Sequence, residues 1–143
     1  MHRFFCGIIG LAMLGCLSSR TAEAQQPKVV VLDFSGAGGS TARVQVLRSL
    51  RGQVEFAKKA DAESVAASQS LKLDTERGRK SLCEELGIDY IFWGRVNGRG
   101  ASARTEIRVA GASGAELTGY EAGAPGTTEG NELIQEAARA ALA

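Results

Sequence analysis

Residues Lys28 to Phe34 (Lys-Val-Val-Val-Leu-Asp-Phe) form a β-branched, apolar run in which hydrophobic and polar residues do not alternate. A strand with one wet face alternates, so a strand that does not is covered on both sides. The run predicts a central strand with packed layers above and below it. Ser35-Gly36-Ala37-Gly38-Gly39 breaks the run, and Ser40 is placed to accept hydrogen bonds from the first free amides of a helix reaching about Arg51. Val44, Leu47 and Leu50 are the expected buried stripe of that helix, and Gly52 follows its end.

The same reading continues down the chain. Gln53 to Ala57 is a short second strand engaging Val54 and Phe56, and Ala60 to about Leu71 is a small-residue helix. Asp74 is the expected N-cap of a further helix ending at Leu86. Gly87 suits the left-handed position beyond that end, with Ile88 packing back on Leu82 or Cys83 as in a Schellman motif. Tyr90-Ile91-Phe92-Trp93 is the densest apolar cluster after the N-terminal region and reads as a core strand, with Gly94 admitting a bulge or a close backbone approach. Asn97-Gly98 signals a two-residue hairpin turn. The next strand alternates Ala103, Thr105, Ile107 and Val109 on a dry face with Ser102, Arg104, Glu106 and Arg108 on a wet one. Gly111 to Gly114 makes a turn, Glu116 to Glu121 returns as a strand carrying Leu117 and Tyr120, and Thr127 or Thr128 caps a last helix. The order β-α-β-α-α-β-β-β-α implies an α/β fold, a mixed sheet with helices packed over it.

The first 24 residues read differently. His2 and Arg3 precede an uncharged stretch from Phe4 to Leu17, and Ala22-Glu23-Ala24 supplies small residues at a cleavage position. This is the pattern of a secretory signal, with an apolar stretch shorter than the roughly 20 residues of a spanning helix. Cleavage is expected after Ala24, leaving a leader over 25–27 and one domain over 28–143, and a periplasmic or secreted protein. The alternative turns on Met13-Leu14-Gly15-Cys16, which is similar to a lipoprotein signal. Lipidation at Cys16 would tether the domain to a membrane.

Composition then removes whole classes of function. Arg3, Arg20 and Glu23 fall within the signal, so of 17 basic and 16 acidic residues the remaining chain keeps 15 of each. A balanced chain argues against nucleic acid as a partner. The one histidine is His2, so the mature domain has no imidazole for a triad, a Cys-His pair or a metal site. Cys83 alone remains in a chain cleaved after Ala24, and it has no intramolecular disulfide partner. Beside Glu84 and Glu85 near a helix C-terminus, it reads as a buried structural thiol.

Glu84 to Val96 (Glu-Glu-Leu-Gly-Ile-Asp-Tyr-Ile-Phe-Trp-Gly-Arg-Val), followed by an alternating strand, the turn Gly111-Ala112-Ser113-Gly114 and a last strand, resembles the TolB-like amino-terminal domain. In that family a helix ending in Leu-Gly leads into a strand of the form Asp-Tyr-x-x-x-Gly-x-Val. Val29 to Phe34 is similar to its first strand, while Trp93 stands at a freely varying position. Related folds occur in cell-envelope lipoproteins, including activators of peptidoglycan synthases and parts of secretion or flagellar assemblies. The resemblance implies a binding or scaffolding domain without catalytic residues or cofactors, whose partner is another envelope protein.

The residues themselves offer little competing chemistry. Gly36-Ala37-Gly38-Gly39-Ser40 lacks both the third glycine of a dinucleotide fingerprint and the Gly-Lys-Ser/Thr of a P-loop. Asp33, near the C-terminal end of the first strand, is the one candidate for a small envelope enzyme, and its expected structural partner is the amide cluster of the Ser40 helix. Glu84 with Glu85 and Glu132 with Glu136 fall on solvent faces. Arg43, Arg48, Arg51, Lys58 and Lys59 read as a solvated cationic face. No metal-ligand set is expected. Recognition is expected through an exposed sheet edge or the polar face bearing Arg104, Glu106 and Arg108.

Overall fold

The computed structural model describes residues 26–117 and 119–143. The signal region and Cys16 lie outside the described residues. The elements are β1 (Lys28–Ser35), α1 (Gly39–Leu50), β2 (Glu55–Phe56), α2 (Lys59–Ser68), α3 (Glu76–Leu86), β3 (Tyr90–Asn97), β4 (Arg104–Gly111), β5 (Tyr120–Ala122) and α4 (Thr128–Ala140). This is the expected α/β order. The sheet runs β2-β1-β3-β4-β5, with β1 parallel to both neighbours and β3, β4 and β5 antiparallel in turn.

Val29, Val30 and Val31 are fully buried, so β1 is dry on both faces. Two clusters account for it. Val29, Val31, Phe92, Ile107 and Val109 pack under α1 and α4 through Val46, Leu50, Ile134 and Ala138. Val30, Ile91 and Ala110 pack under α2 and α3 through Ala62, Leu82 and Cys83. The chain steps one way along the sheet from β1 to β2 and back the other way from β2 to β3. With one hand for both crossovers, that reversal puts α1 and the α2–α3 pair on opposite faces.

Several local readings are corrected. Gly38, not Ser40, occupies the cap of α1, with φ +84°. The buried stripe of α1 is Ala42, Val46 and Leu50, four residues apart. Val44 is 46% exposed, because two positions from Val46 is about 200° around a helix. Thr75 rather than Asp74 caps α3, its Oγ1 accepting from the Gly78 amide at 3.1 Å. The connection after β3 is not a two-residue turn at Asn97-Gly98. Asn97 pairs with Arg104, and a 3₁₀ turn over Gly100–Ser102 fills the gap. The strand expected over Glu116–Glu121 is reduced to β5 and one bridge between Ala110 and Glu116. The two pairings differ by one residue in register, which interrupts the strand and leaves Leu117 44% exposed. β2 is likewise only Glu55–Phe56, with Val54 buried and Phe56 exposed.

Other local readings hold. Gly87 adopts φ +65°, and the Ile88 amide donates to the Cys83 carbonyl at 3.0 Å, the six-to-one bond of a Schellman end. Thr127 caps α4, accepting from the Gly130 amide at 3.0 Å. Gly94 marks a bulge: β1 runs from Val31 to Phe34 while β3 runs only from Phe92 to Gly94. A Cβ on Gly94 would meet the Phe34 ring edge at 2.9 Å.

The glycine-rich link between β1 and α1 is set by close packing. A Cβ at Gly39 would run into the Phe34 carbonyl. Gly39→Ala is therefore expected to cost about 1–3 kcal/mol in urea unfolding, whereas Gly111→Ala, where a Cβ meets open space, is expected to stay within about 0.5 kcal/mol.

Candidate functional site

Helices α2 and α3 cover only one end of their face of the sheet. At the other end, Ser35, Trp93, Gly94, Arg95, Glu106 and Arg108 line a cavity of about 190 Å³ open to solvent. Strand periodicity assembles it. Arg95 lies directly opposite Glu106 and Trp93 opposite Arg108, all on one face because they are spaced by two along antiparallel strands. The β1 bulge sets Ser35 opposite Arg95 and so completes the wall. The Val31 carbonyl, at the start of that bulge, accepts from Arg43 Nε and Nη2 at 3.1 and 2.9 Å.

Glu106 organises the charges. Its Oε2 accepts from Arg95 Nε at 2.8 Å and its Oε1 from Arg108 Nε at 2.7 Å. Arg108 Nε also lies 3.5 Å from Glu116 Oε1. The guanidinium of Arg108, then that of Arg95, holds the Glu106 carboxyl below the usual carboxylate range. The Glu106 side chain is 20% exposed, against 57% for Arg95 and 43% for Arg108, so the carboxylate is the inner member and the guanidiniums reach outward. Trp93 is half-buried and held from behind. Arg79 of α3 lies 5.0 Å from its ring centroid, donates from Nε to the Gly114 carbonyl at 2.9 Å, and from Nη1 to the Leu73 carbonyl at 3.3 Å.

Of the residues singled out in the sequence, Glu106 and Arg108 are brought together here, and Arg104 stands exposed on the same face. Asp33 is not. Its side chain is 68% exposed and bound to Lys59 at 2.7 Å, not to the amides of α1. The bulge turns Asp33 away from the sheet end, where Lys59 at the start of α2 meets it. Within the cationic group, Arg43 and Lys59 are thus bound to other groups of the domain, Lys59 at its surface, while Arg48, Arg51 and Lys58 are exposed. Cys83 is 3% exposed, and burial, then the nearby Asp89 carboxylate, pushes its thiol up to about 11. Among the described residues no group of three or more His, Cys, Asp or Glu side chains is placed to hold a metal ion.

Sequence reasoning missed Arg79 and Arg95. Arg79 sits three and four residues before Leu82 and Cys83, on the stripe that faces the sheet, and that spacing is the available signal. Arg95 needed the correct register of β3 on β4.

No family model matches the sequence, and no curated protein does. Solved structures match in fold. The C-terminal domain of LpoB from Salmonella enterica superposes with a TM-score of 0.53 at 10% identity, covering 73% of this chain and 86% of that chain. The corresponding Escherichia coli domain gives 0.52 at 11%, covering 69% and 82%. TolB from Acinetobacter baumannii gives 0.52 at 14%, covering 82% of this chain and 28% of that one. The domain is TolB-like in fold.

Two measurements check the site. Glu106 is more acidic folded than unfolded, so its pairing stabilises the protein above the unfolded carboxylate value and is lost as pH falls through the folded one. Urea unfolding should show Glu106→Gln less stable than the parent at about pH 7, with the difference shrinking towards about pH 3. Maleimide should label native Cys83 at least about 100-fold more slowly than the urea-unfolded chain at neutral pH.

Proposed function

We propose that this protein is exported, loses residues 1–24, and acts in the cell envelope as a non-catalytic binding domain that recognises another envelope protein through the uncovered half of its sheet. The observation that carries the reading is the open face itself. Along β1, β3 and β4 the apolar side chains lie under helices, yet here a half-buried tryptophan and an Arg-Glu-Arg cluster stand at the surface. Tryptophan and arginine are the side chains most enriched where binding energy concentrates. The tripartite N-terminus and the TolB-like fold support the envelope setting. The sheet edges offer less, because β2 has two residues and β5 three. Asp33, paired with Lys59 at the surface, is not placed for acid-base chemistry.

In-cell photocrosslinking tests this. A photoreactive residue at Arg104 or Glu121, on the open face, should give a discrete protein adduct in the envelope fraction. The same residue at Val44, on the helical face, should not. Adducts from Val44 alone, or from none of these positions, would overturn the docking surface. The mass of the mature chain, starting at Gln25 or at a lipidated Cys16, decides between the free and anchored forms.

A further inference from the structure

The way Glu106 holds its two arginines leaves something over. Both guanidiniums donate to it through Nε, one to each carboxylate oxygen. Among the described residues, neither makes a hydrogen bond through its Nη groups. With Nε engaged, the end-on edge of each guanidinium, with its two parallel N–H donors, is the edge left to grip a carboxylate bidentately. Here two arginines that keep this edge unengaged line one cavity together with Ser35 and Trp93. With Glu116 3.5 Å from Arg108, the two arginines and two glutamates are formally balanced, so what the cavity offers a partner is the pair of unengaged Nη edges and not a net charge.

We propose that this cavity seats a side-chain carboxylate from an acidic segment of the protein partner, held by the Nη groups of Arg95 and Arg108, with an apolar neighbour of that carboxylate packed on Trp93. This rests on the docking face proposed above and adds what the face selects for. A polyanion fits less well. Glu116 lies 3.5 Å from Arg108, and Glu121 stands opposite Glu106 on β5, so the acidic rim admits one anchored charge and repels a continuous run of them. The pairing Glu106 enforces also holds both guanidiniums ready before the partner arrives.

Trp93 is the chain's one tryptophan, so fluorescence excited beyond the absorption of Tyr90 and Tyr120 reads this site. The exported, purified protein is titrated with a blocked tetrapeptide of sequence leucine-glutamate-alanine-leucine, with its glutamine counterpart, and with inorganic phosphate. The glutamate peptide should perturb Trp93 emission saturably. The glutamine peptide should bind at least about tenfold more weakly, and Arg95→Gln and Arg108→Gln should each weaken the glutamate peptide by about fivefold or more. Arg48→Gln, on the helical face, should leave binding unchanged. Raising salt from about 0.05 to 0.5 M should weaken the glutamate peptide severalfold. Equal binding of the two peptides would overturn carboxylate selection while leaving the crosslinked face intact. Displacement of the peptide by phosphate at equal concentration would make this a free-anion site and also overturn the proposal. Peptide binding without crosslinks from Arg104 or Glu121 would instead count against the docking face.

Discussion

Val29, Val30 and Val31 make no contact with water, and neither do Ile91 and Phe92 beside them in the parallel ladder. Each such side chain contributes about 1.5–3 kcal/mol when buried. The same burial obliges every backbone amide and carbonyl of the pair to find its partner inside the protein. A parallel pair cannot be closed by a tight turn and needs a long crossover, so the chain between β1 and β3 is committed to helices. Because both faces of the pair are dry, those helices must lie on both sides. Arrangements that put all four helices on one face would leave one valine row in water.

The site follows from where that cover stops. Helices α2 and α3 shield the end of the sheet bearing Val30, Ile91 and Ala110, and beyond them the same face passes from aliphatic to charged along β3 and β4. The extra residue in β1 changes what reaches that end. Without it, alternation would carry Asp33 and Ser35 onto one face. With it, Phe34 keeps to the core, Asp33 swings out to Lys59, and Ser35 joins the cavity. Gly94 permits this, since a side chain there would collide with Phe34 and with the Glu106 backbone.

The order of elements and the dry and wet faces of β4 were legible in the residues because they rest on local periodicity. Pairing was not. A two-residue turn at Asn97-Gly98 would have set Val96 against Arg99, whereas the true partner of Val96 is Thr105. The partner differs by six residues, an even number, so every side chain stayed on its expected face while each cross-strand partner was wrong. That is why Glu106 and Arg108 could be placed on a polar face and their link to Arg95 could not. Asp33 failed for a different reason: a bulge is a tertiary compromise, written in the contact between Phe34 and Gly94 and not in either residue alone. Helix caps moved by one or two positions because neighbouring Ser, Thr, Asp and Gly residues compete for the same role.

Arg79 joins parts of the molecule that the sheet alone does not. From α3 it reaches the Leu73 carbonyl, the Gly114 turn and the Trp93 ring, while remaining 6% exposed. A cation so enclosed has little rotational freedom, and the indole stacked on it inherits that restraint. Freezing a side chain on binding costs about 0.5–1.5 kcal/mol of entropy. For Trp93 most of that cost falls on folding, so the open face stands as a rigid relief whose stiffness is supplied from the opposite, covered end of the sheet.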